Sequence, residues 1–594
     1  MSESLLSYFE QELAFIRQEA GEFSRRHPGS AKSLGISDDS IDDPQISRLI
    51  ESVALLNARL QQRLDDSFPQ LTDSLLRLLF PHYLRPIPSY SILKMQPSDE
   101  VSARHFIPKG THLGISDTEV ETTVFRTCQD VTLFPINLTS AYVAMAPFDV
   151  EKPKGAEQAK AMLELQLQTT DPSVLFSDLD LASLELFLRG ETQSVLRLYD
   201  HLLSGVKQVC VQYGENRVSL GRDALASVGF DGQHQVLPYS SRSFGGFKLL
   251  TEFFTFPERF HAIELDLAQS LRYAHSSKIQ IQIFLDDMDI DLSRSLGIDN
   301  FHLFCTPIVN LQTLTAEPLT INFGHSQYPI VLDAGGQQQL QLFAIEKVTD
   351  VTEQQSCAVP PLYGEKYRGA EIGLRWQLVQ DWQTDTYLQS SLRVADLEHT
   401  SASSEARTWL VSATCSDGVL AGQLSISSQV SCRDSISLPA HLQLLRRPTN
   451  QVRIKASEQN AWPLLAHLHF NYHALLGSDD PVSALKAMLS LYNHTESSQN
   501  NAYIAAIQRL DQEQVVAPVR ISGKSCFAYG TRLSVTISTK ELGGGGVELL
   551  SQLLDRFFAY FAGFNSFTQV VILIEGIEGE HNVFPRRSGC KNML

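Results

Sequence analysis

Residues 67–90 read SFPQLTDSLLRLLFPHYLRPIPSY, a leucine-rich helical turn held between prolines and followed by a second proline cluster. Proline disfavours helical φ/ψ in the residue before it, so Phe68-Pro69 ends whatever helix comes earlier. Thr72 can cap a short helix over DSLLRLLF, which Pro81 ends, and Pro86 and Pro88 force an extended exit. The stretch reads as a rigid elbow, with Pro69, Pro81, Pro86 and Pro88 as candidate joint residues. His82 and Tyr83 could serve chemistry, but no nucleophile or second acid lies near them in sequence. A packed corner is the better reading.

Upstream of the elbow the pattern is helical. Leu5, Phe9, Leu13, Ile16 and Ala20 follow a 3.6-residue period, and Gly21 interrupts or stops that helix. In DDPQISRLIESVALLNARLQQRLDDSFP, Asp43 is a good N-cap and Pro44 takes the first helical position, where its missing N–H costs nothing. Ile46, Leu49, Ile50, Val53, Leu56, Leu60 and Leu64 then form one apolar face about five turns long. Such a face packs on its own chain or on a partner's, and the residues alone leave both open.

Downstream the pattern changes to short β-like runs over about residues 89–445. SILKMQP, VTLFPINL, LELFLRG, KQVCVQY, IQIQIFL, LRWQLVQ, TWLVSATC and LSISSQV are each bounded by Gly, Pro, Asp or Ser. VLRLYDHLLSG and FGGFKLLTEFFTFPERF are helical insertions, and EHTSASSEART (398–408) is an exposed loop. The last stretch mixes classes. AWPLLAHLHFNYHALL and PVSALKAMLSLYN are helical or strand-to-helix runs, VVAPVRISGKSCFAYGTRLSVTIS reads as paired strands, and Val547, Leu550, Leu554, Phe557, Phe558 and Phe561 mark an amphipathic helix before the buried strand TQVVILIEG. The fold class is therefore α+β and multidomain: a helical N-terminal arm (1–88), two β-rich sandwich or barrel-like modules (89–245 and 246–446), and an α+β C-terminal domain (447–594).

Length and charge bound the function. At 594 residues the chain exceeds one core. Its formal charge of −19 argues against nucleic acid as the main partner and against adsorption to anionic lipid. No run of 18 apolar residues predicts a membrane span, and the N-terminus has no secretory pattern. The eight cysteines are scattered without a CxxC, as expected of reduced, buried thiols in a cytoplasmic protein.

Candidate chemistry is sparse. SGKS at 522–525 lacks the earlier glycine and the following helix of a phosphate loop, since Pro518 stands where the glycine belongs. GGGG at 543–546 precedes a helix but brings no lysine, and a strand-to-helix turn is the better reading. In HLHFNYH, His469 and His473 have metal-compatible i,i+4 spacing, but no acid accompanies them and ordinary core or surface histidines are preferred. No GxSxG elbow or strand-end GxGxxG occurs. No catalytic residue, metal site or cofactor is expected.

The order of several runs goes further. YFEQELAFIRQEAGEFSRRHPGSAKSLGI, LLNARLQQRLDDSFPQLTDSLLRLLFPHYLRPIPS, IPKGTHL with FRTCQDVTLFPI, FKLLTEFFTFPERF, FHLFCTPIVNL with AEPL, YGTRLSVTI, GGGGVELLSQLLDRFFAYFAGFNSFTQ and terminal FPRRSGCKNML span residues 8–594. In these the chain resembles the TssF family, the large wedge subunits of the type VI secretion baseplate. It departs at Val124, where such chains often carry cysteine, at Gln312, where an aromatic is expected, and over His325 to about Val351.

The resemblance implies a structural subunit rather than an enzyme, working without a cofactor in the cytoplasm, docked at the inner-membrane face through the baseplate and not inserted in the membrane. It implies direct pairing with TssG, two TssF copies to one TssG, in six wedges around a VgrG spike hub. TssE would link to the sheath and TssK to the membrane complex. The Ile46–Leu64 face would then find its partner in a heteromeric bundle, supporting sheath polymerisation and effector delivery. Two alternatives are a wedge component of a contractile phage or phage-like particle, and a carbohydrate-active β-sandwich enzyme using scattered carboxylates.

Overall fold

The structure is a computed structural model describing residues 3–35, 37, 43–65, 85–98, 101, 103–117, 122–239, 244–333, 340–362, 373–382, 388–396, 406–435, 438–453, 480–521, 524–563 and 566–588. The chain divides into two compact units, residues 1–84 with 455–469, and residues 85–454 with 470–594.

The first unit is helical in its described part. Helix α1 (Glu3–Arg26) runs straight through Gly21 rather than stopping there, α2 (Pro28–Ser33) follows, and α3 (Pro44–Asp65) packs on α1. Gly21 is buried inside α1, and the helix continues through it at modest cost to helix propensity. Asp43 caps α3 as its sequence position suggests, its Oδ1 accepting from the Gln45 N–H at 2.8 Å.

The second unit is α+β and multisheeted. Its first sheet runs Gln429–Cys432, His112–Ser116, Thr123–Thr127, Cys305–Val309, Tyr90–Pro97, Ala440–Leu444, so that apart from the adjacent pair His112–Ser116 and Thr123–Thr127 the neighbouring strands lie far apart in sequence. Tyr90 faces Val309 and Leu93 faces both Thr306 and Leu444. A five-stranded sheet centres on Lys278–Leu285 between Val206–Tyr213 and Ala161–Thr169. A module over residues 312–416 forms two further sheets around a core of its own that includes Trp409, Leu392, Ile321 and Val411.

LSISSQV is the strand reading that fails in most of its length. Only Gln429–Cys432 pairs, because Ser425 and Ser428 turn their hydroxyls onto the Asp117 carboxylate at 2.7 and 2.8 Å.

Helices fill the gaps between sheets. These are α4 (Thr192–Ser204), α5 (Gly245–Thr255), α6 (Pro481–Tyr492), α7 (Ser498–Ala506) and α8 (Val547–Ala559). Helix α5 is buried from Gly246 to Thr255, with Phe247, Leu249, Leu250, Phe253 and Phe254 in the core and the charge of Glu252 paired with Arg259. A Cβ on Gly245 would run into the Tyr560 ring, so this glycine is what lets α5 approach the end of α8. The C-terminal sheet begins with the hairpin Ile507–Ile521 and Lys524–Ile537, and Ser566–Ile574 then pairs parallel to its second strand. That parallel crossover is carried by α8, whose Val547, Leu550, Leu554, Phe557 and Phe558 are buried.

Candidate functional site

Helix α3 carries the apolar stripe, and burial divides it in two. Ile46 and Ile50 are half-buried, and Ala54 and Ala58 continue their i,i+4 line fully buried. Small residues on that line allow a close helix approach, and α1 is the described helix packed on α3. Asn57 Nδ2 donates to Glu12 Oε2 at 3.4 Å across the pair. The second line faces solvent: Leu49 is 61%, Val53 41%, Leu56 61% and Leu60 60% exposed. Their spacing of four, three and four residues is that of a coiled-coil seam. The Leu64 side chain lies outside the described residues. Exposed single leucines are ordinary, but four in one register on one helix form a patch of the kind that marks interaction surfaces.

The elbow is described only at its exit. Pro69, Pro81, His82 and Tyr83 lie outside the described residues. Pro86, Ile87 and Pro88 are buried. Between the prolines, Ile87 exchanges two backbone hydrogen bonds with Val452, each 2.9 Å. The prolines lack an N–H and leave Ile87 as the donor, so the chain is pinned at one rung.

The glycine run does hold an anion position, and the protein fills it itself. Gly543, Gly544 and Gly546 adopt φ of 66°, 87° and 97°, which only glycine takes readily, and wind the chain into α8. Asp200 of α4 then accepts from the N–H groups of Gly546 (2.7 Å), Val547 (3.2 Å) and Glu548 (2.8 Å). A carboxylate there satisfies three orphan donors and the positive end of the helix. Burial nevertheless lifts Asp200 to about 6 against the pull of those N–H bonds. Glu548, buried in the same first turn of α8, rises to about 7 for the same reason, with Gln552 and Asn582 donating to it.

The remaining buried charges also tie elements of the second unit together. Glu252 and Arg259 form an ion pair with both side chains buried, and Glu252 Oε1 also accepts from Val236 and Leu237 N–H at 3.0 and 3.1 Å. Burial pulls Arg259 down to about 10, where it still stays charged near neutrality. Asp417 accepts from the Val124 N–H (2.8 Å), Asn310 Nδ2 (2.5 Å) and Gln312 Nε2 (3.2 Å).

Ile521 and Lys524 are paired, and from Lys524 the chain runs as a strand to Ile537 rather than as a helix, while Ser522 and Gly523 lie outside the described residues. His467, His469 and His473 lie outside the described residues. Among the described residues no group of three or more His, Cys, Asp or Glu could hold a metal ion, and no helix is long and apolar enough to cross a membrane. Sequence reasoning missed Ala54 and Ala58, whose i,i+4 spacing was the available signal, and Asp200, for which no local signal exists.

Fold and site together define a large α+β scaffold with a solvent-facing apolar helix seam. The sequence model of the family described as "Type VI secretion system, TssF" matches residues 1–591. The chain belongs to that family. It is 26% identical to the "Type VI secretion system component TssF1" of Pseudomonas aeruginosa strain PAO1 over the whole of both chains. Its fold is similar to a chain of the structure described as the type VI secretion system TssK-TssF-TssG baseplate subcomplex, with TM-score 0.73, 22% identity, and 92% of this chain and 99% of that one covered. It is also similar to a chain of a type VI secretion baseplate complex, with TM-score 0.58, 20% identity, and 98% and 100% covered.

Proposed function

We propose that this chain is a structural subunit of a type VI secretion baseplate wedge and that the α3 seam is where it joins TssG. The observation that carries the reading is the exposed line Leu49, Val53, Leu56, Leu60 on a helix of a TssF-family chain. A monomer has no use for four apolar residues in coiled-coil register facing water, and burying them against another helix supplies a hydrophobic driving force. The similarity to a chain of a TssK-TssF-TssG subcomplex supports TssG and TssK as partners.

In this reading two copies of the chain flank one TssG, and six such wedges surround a VgrG hub. TssE connects them to the sheath, and TssK docks the cytoplasmic assembly at the inner-membrane face. The arm (1–88), the β-rich segments (89–245 and 246–446) and the end segment (447–594) act as separate parts of the wedge. Pro69, Pro81, Pro86 and Pro88 fix the direction in which the chain leaves the arm, and no chemistry or cofactor is used. The test is co-expression with the TssG of the same system and pull-down on the tagged chain. Retention of TssG supports the reading, and its absence from a folded bait contradicts it.

A further inference from the structure

Strand Ser183–Leu188 is paired along one edge and at only one end of the other. Ala262–Asp266 covers the first edge, from Ser183↔Asp266 to Phe187↔Ala262, whereas Phe301–His302 reaches only Leu188 and Phe187. That neighbour leaves because Cys305–Val309 pairs elsewhere, with Tyr90–Pro97. The chain turns at Phe304, whose φ of 53° is uncommon outside glycine and whose carbonyl accepts from the Met95 N–H at 3.0 Å. Hydrogen bonds fix which groups the departure uncovers. Leu267 N–H donates to the Ala182 carbonyl and Leu188 N–H to the His261 carbonyl, each at 2.8 Å, so even-numbered backbone groups face Ala262–Asp266. Arg189 N–H donates to the Asn300 carbonyl at 2.9 Å, so odd-numbered groups face the other way. Ser183 and Glu185 therefore aim their N–H and carbonyl groups at the vacated place, and none of these has a protein partner among the described residues. A groove of about 330 Å³ lies there, between residues 182–185 and Thr132, with Phe304 at its end.

Charge says which segment fits. The ionisable lining of the groove is Arg104, Asp130, Asp180 and Glu185, and Arg104 is already paired with Asp180 at 3.3 Å. Glu185 stands directly across from Glu264 on the adjoining strand, where like charges repel, and neither carboxyl has a hydrogen bond or ion pair among the described residues. Burial, with Glu264 adding to it, pushes Glu185 up to about 7. A cation brought to this pair relieves both the burial and the repulsion. We propose that the open edge of Ser183–Leu188 takes an extended segment of another protein as an added strand, and that a Lys or Arg of that segment meets Glu185. Main-chain bonds to alternate residues give such an addition its affinity, and the side chains along the groove give it specificity. A second copy of this chain fits poorly, because a two-fold pairing of this edge with itself sets its acids against each other. The edge belongs to the second unit, and docking there does not rest on the α3 seam.

The test places the photo-cross-linker p-benzoylphenylalanine at Thr132, across the groove, in the full-length chain in its own cells, with a second probe at exposed Tyr273 as control. The expected result is an adduct at Thr132, absent at Tyr273, to one peptide of another protein that contains Lys or Arg. Ser183→Pro removes one of the aimed N–H groups and leaves the pairing with Ala262–Asp266 its full set of hydrogen bonds. Glu185→Lys answers Glu264 from within the chain and repels an incoming cation. Each should lower the adduct yield about tenfold, and Glu185→Gln, which removes the charge at constant size, about fivefold should the lysine variant not fold. Circular dichroism melts establish which variants fold, and recovery of TssG should be unchanged in them, which separates this edge from the α3 seam. No adduct, an adduct to this chain's own peptides, a target without a basic residue, a yield that a folded variant leaves unchanged, or loss of TssG from a folded variant would each overturn the proposal.

Discussion

Replacing Val53 and Leu60 together with Asp tests the seam. In the chain alone both positions face solvent, so the cost is mainly helix propensity, under about 1 kcal/mol each. In a bundle the same change acts twice. Full burial of a Leu or Val side chain contributes about 1.5–3 kcal/mol. Covering the parts of Leu49, Val53, Leu56 and Leu60 now in water, 61%, 41%, 61% and 60% of each, is then worth about 3–7 kcal/mol in total. The double change forfeits close to half of that and places two carboxylates in a dry seam at several kcal/mol each if unpaired. The sum exceeds about 5 kcal/mol, a Kd weakened by more than a thousandfold. Pull-down of TssG reads the binding, and circular dichroism with a thermal melt reads the fold. The expected result is loss of TssG from a chain whose spectrum and Tm match the wild type. TssG retained at normal yield by the double variant would refute the assignment of the seam.

Changing Pro86 and Pro88 to Gly should lower stability by about 1 kcal/mol per site through the unfolded chain, and by about 1–2 kcal/mol more per site through the buried ring carbons lost. TssG pull-down should persist, while fluorescent sheath imaging shows failed extension; normal sheaths would reduce the prolines to loop punctuation. Asp200→Ala leaves three buried N–H groups at the start of α8 without an acceptor and should cost about 3 kcal/mol or more, measured by urea unfolding at pH 7. Asp200→Asn tests linkage: the carboxyl is raised to about 6 on folding, so its stabilising share is full below the unfolded value near 4 and is lost as pH rises through 6. Stability of the Asn variant relative to wild type should therefore climb between pH 4 and 7, and a flat or falling difference would contradict the burial argument. Arg259→Met strands Glu252 in the core and should destabilise by about 3–5 kcal/mol, whereas a loss below about 1 kcal/mol would mean that water reaches the pair. Elemental analysis of the purified chain should find substoichiometric zinc, and a full equivalent lost with His469→Ala and His473→Ala would overturn that.

Local features were legible in the sequence because their causes are local. Asp43-Pro44 marks the start of α3, the β-like runs on either side of Ser522-Gly523 pair with each other, and the period of Val547, Leu550, Leu554 and Phe557 marks α8. Strand partners were not legible, because Tyr90 meets Val309 and Leu93 meets Leu444 through register that no local pattern encodes. The same distance hid Asp200, which stands 346 residues before the glycine whose N–H it accepts. At the seam, periodicity gave the apolar face but not its division. Ala54 and Ala58 are good helix formers anywhere, and only packing makes theirs the inner line and leaves the leucines outside. Gly21 read as a break because propensity disfavours it, yet burial within α1 outweighs that cost. LSISSQV read as a strand because serine hydroxyls do not reveal in sequence that a distant Asp117 will draw them into a turn.

Native mass spectrometry of the tagged chain co-expressed with the TssG of the same system tests the wedge most directly. The account predicts one dominant species holding two copies of this chain and one TssG, which gives way to free chain when Val53 and Leu60 are both changed to Asp. A folded chain that flies alone beside free TssG, or a complex whose mass is untouched by the double change, would contradict it.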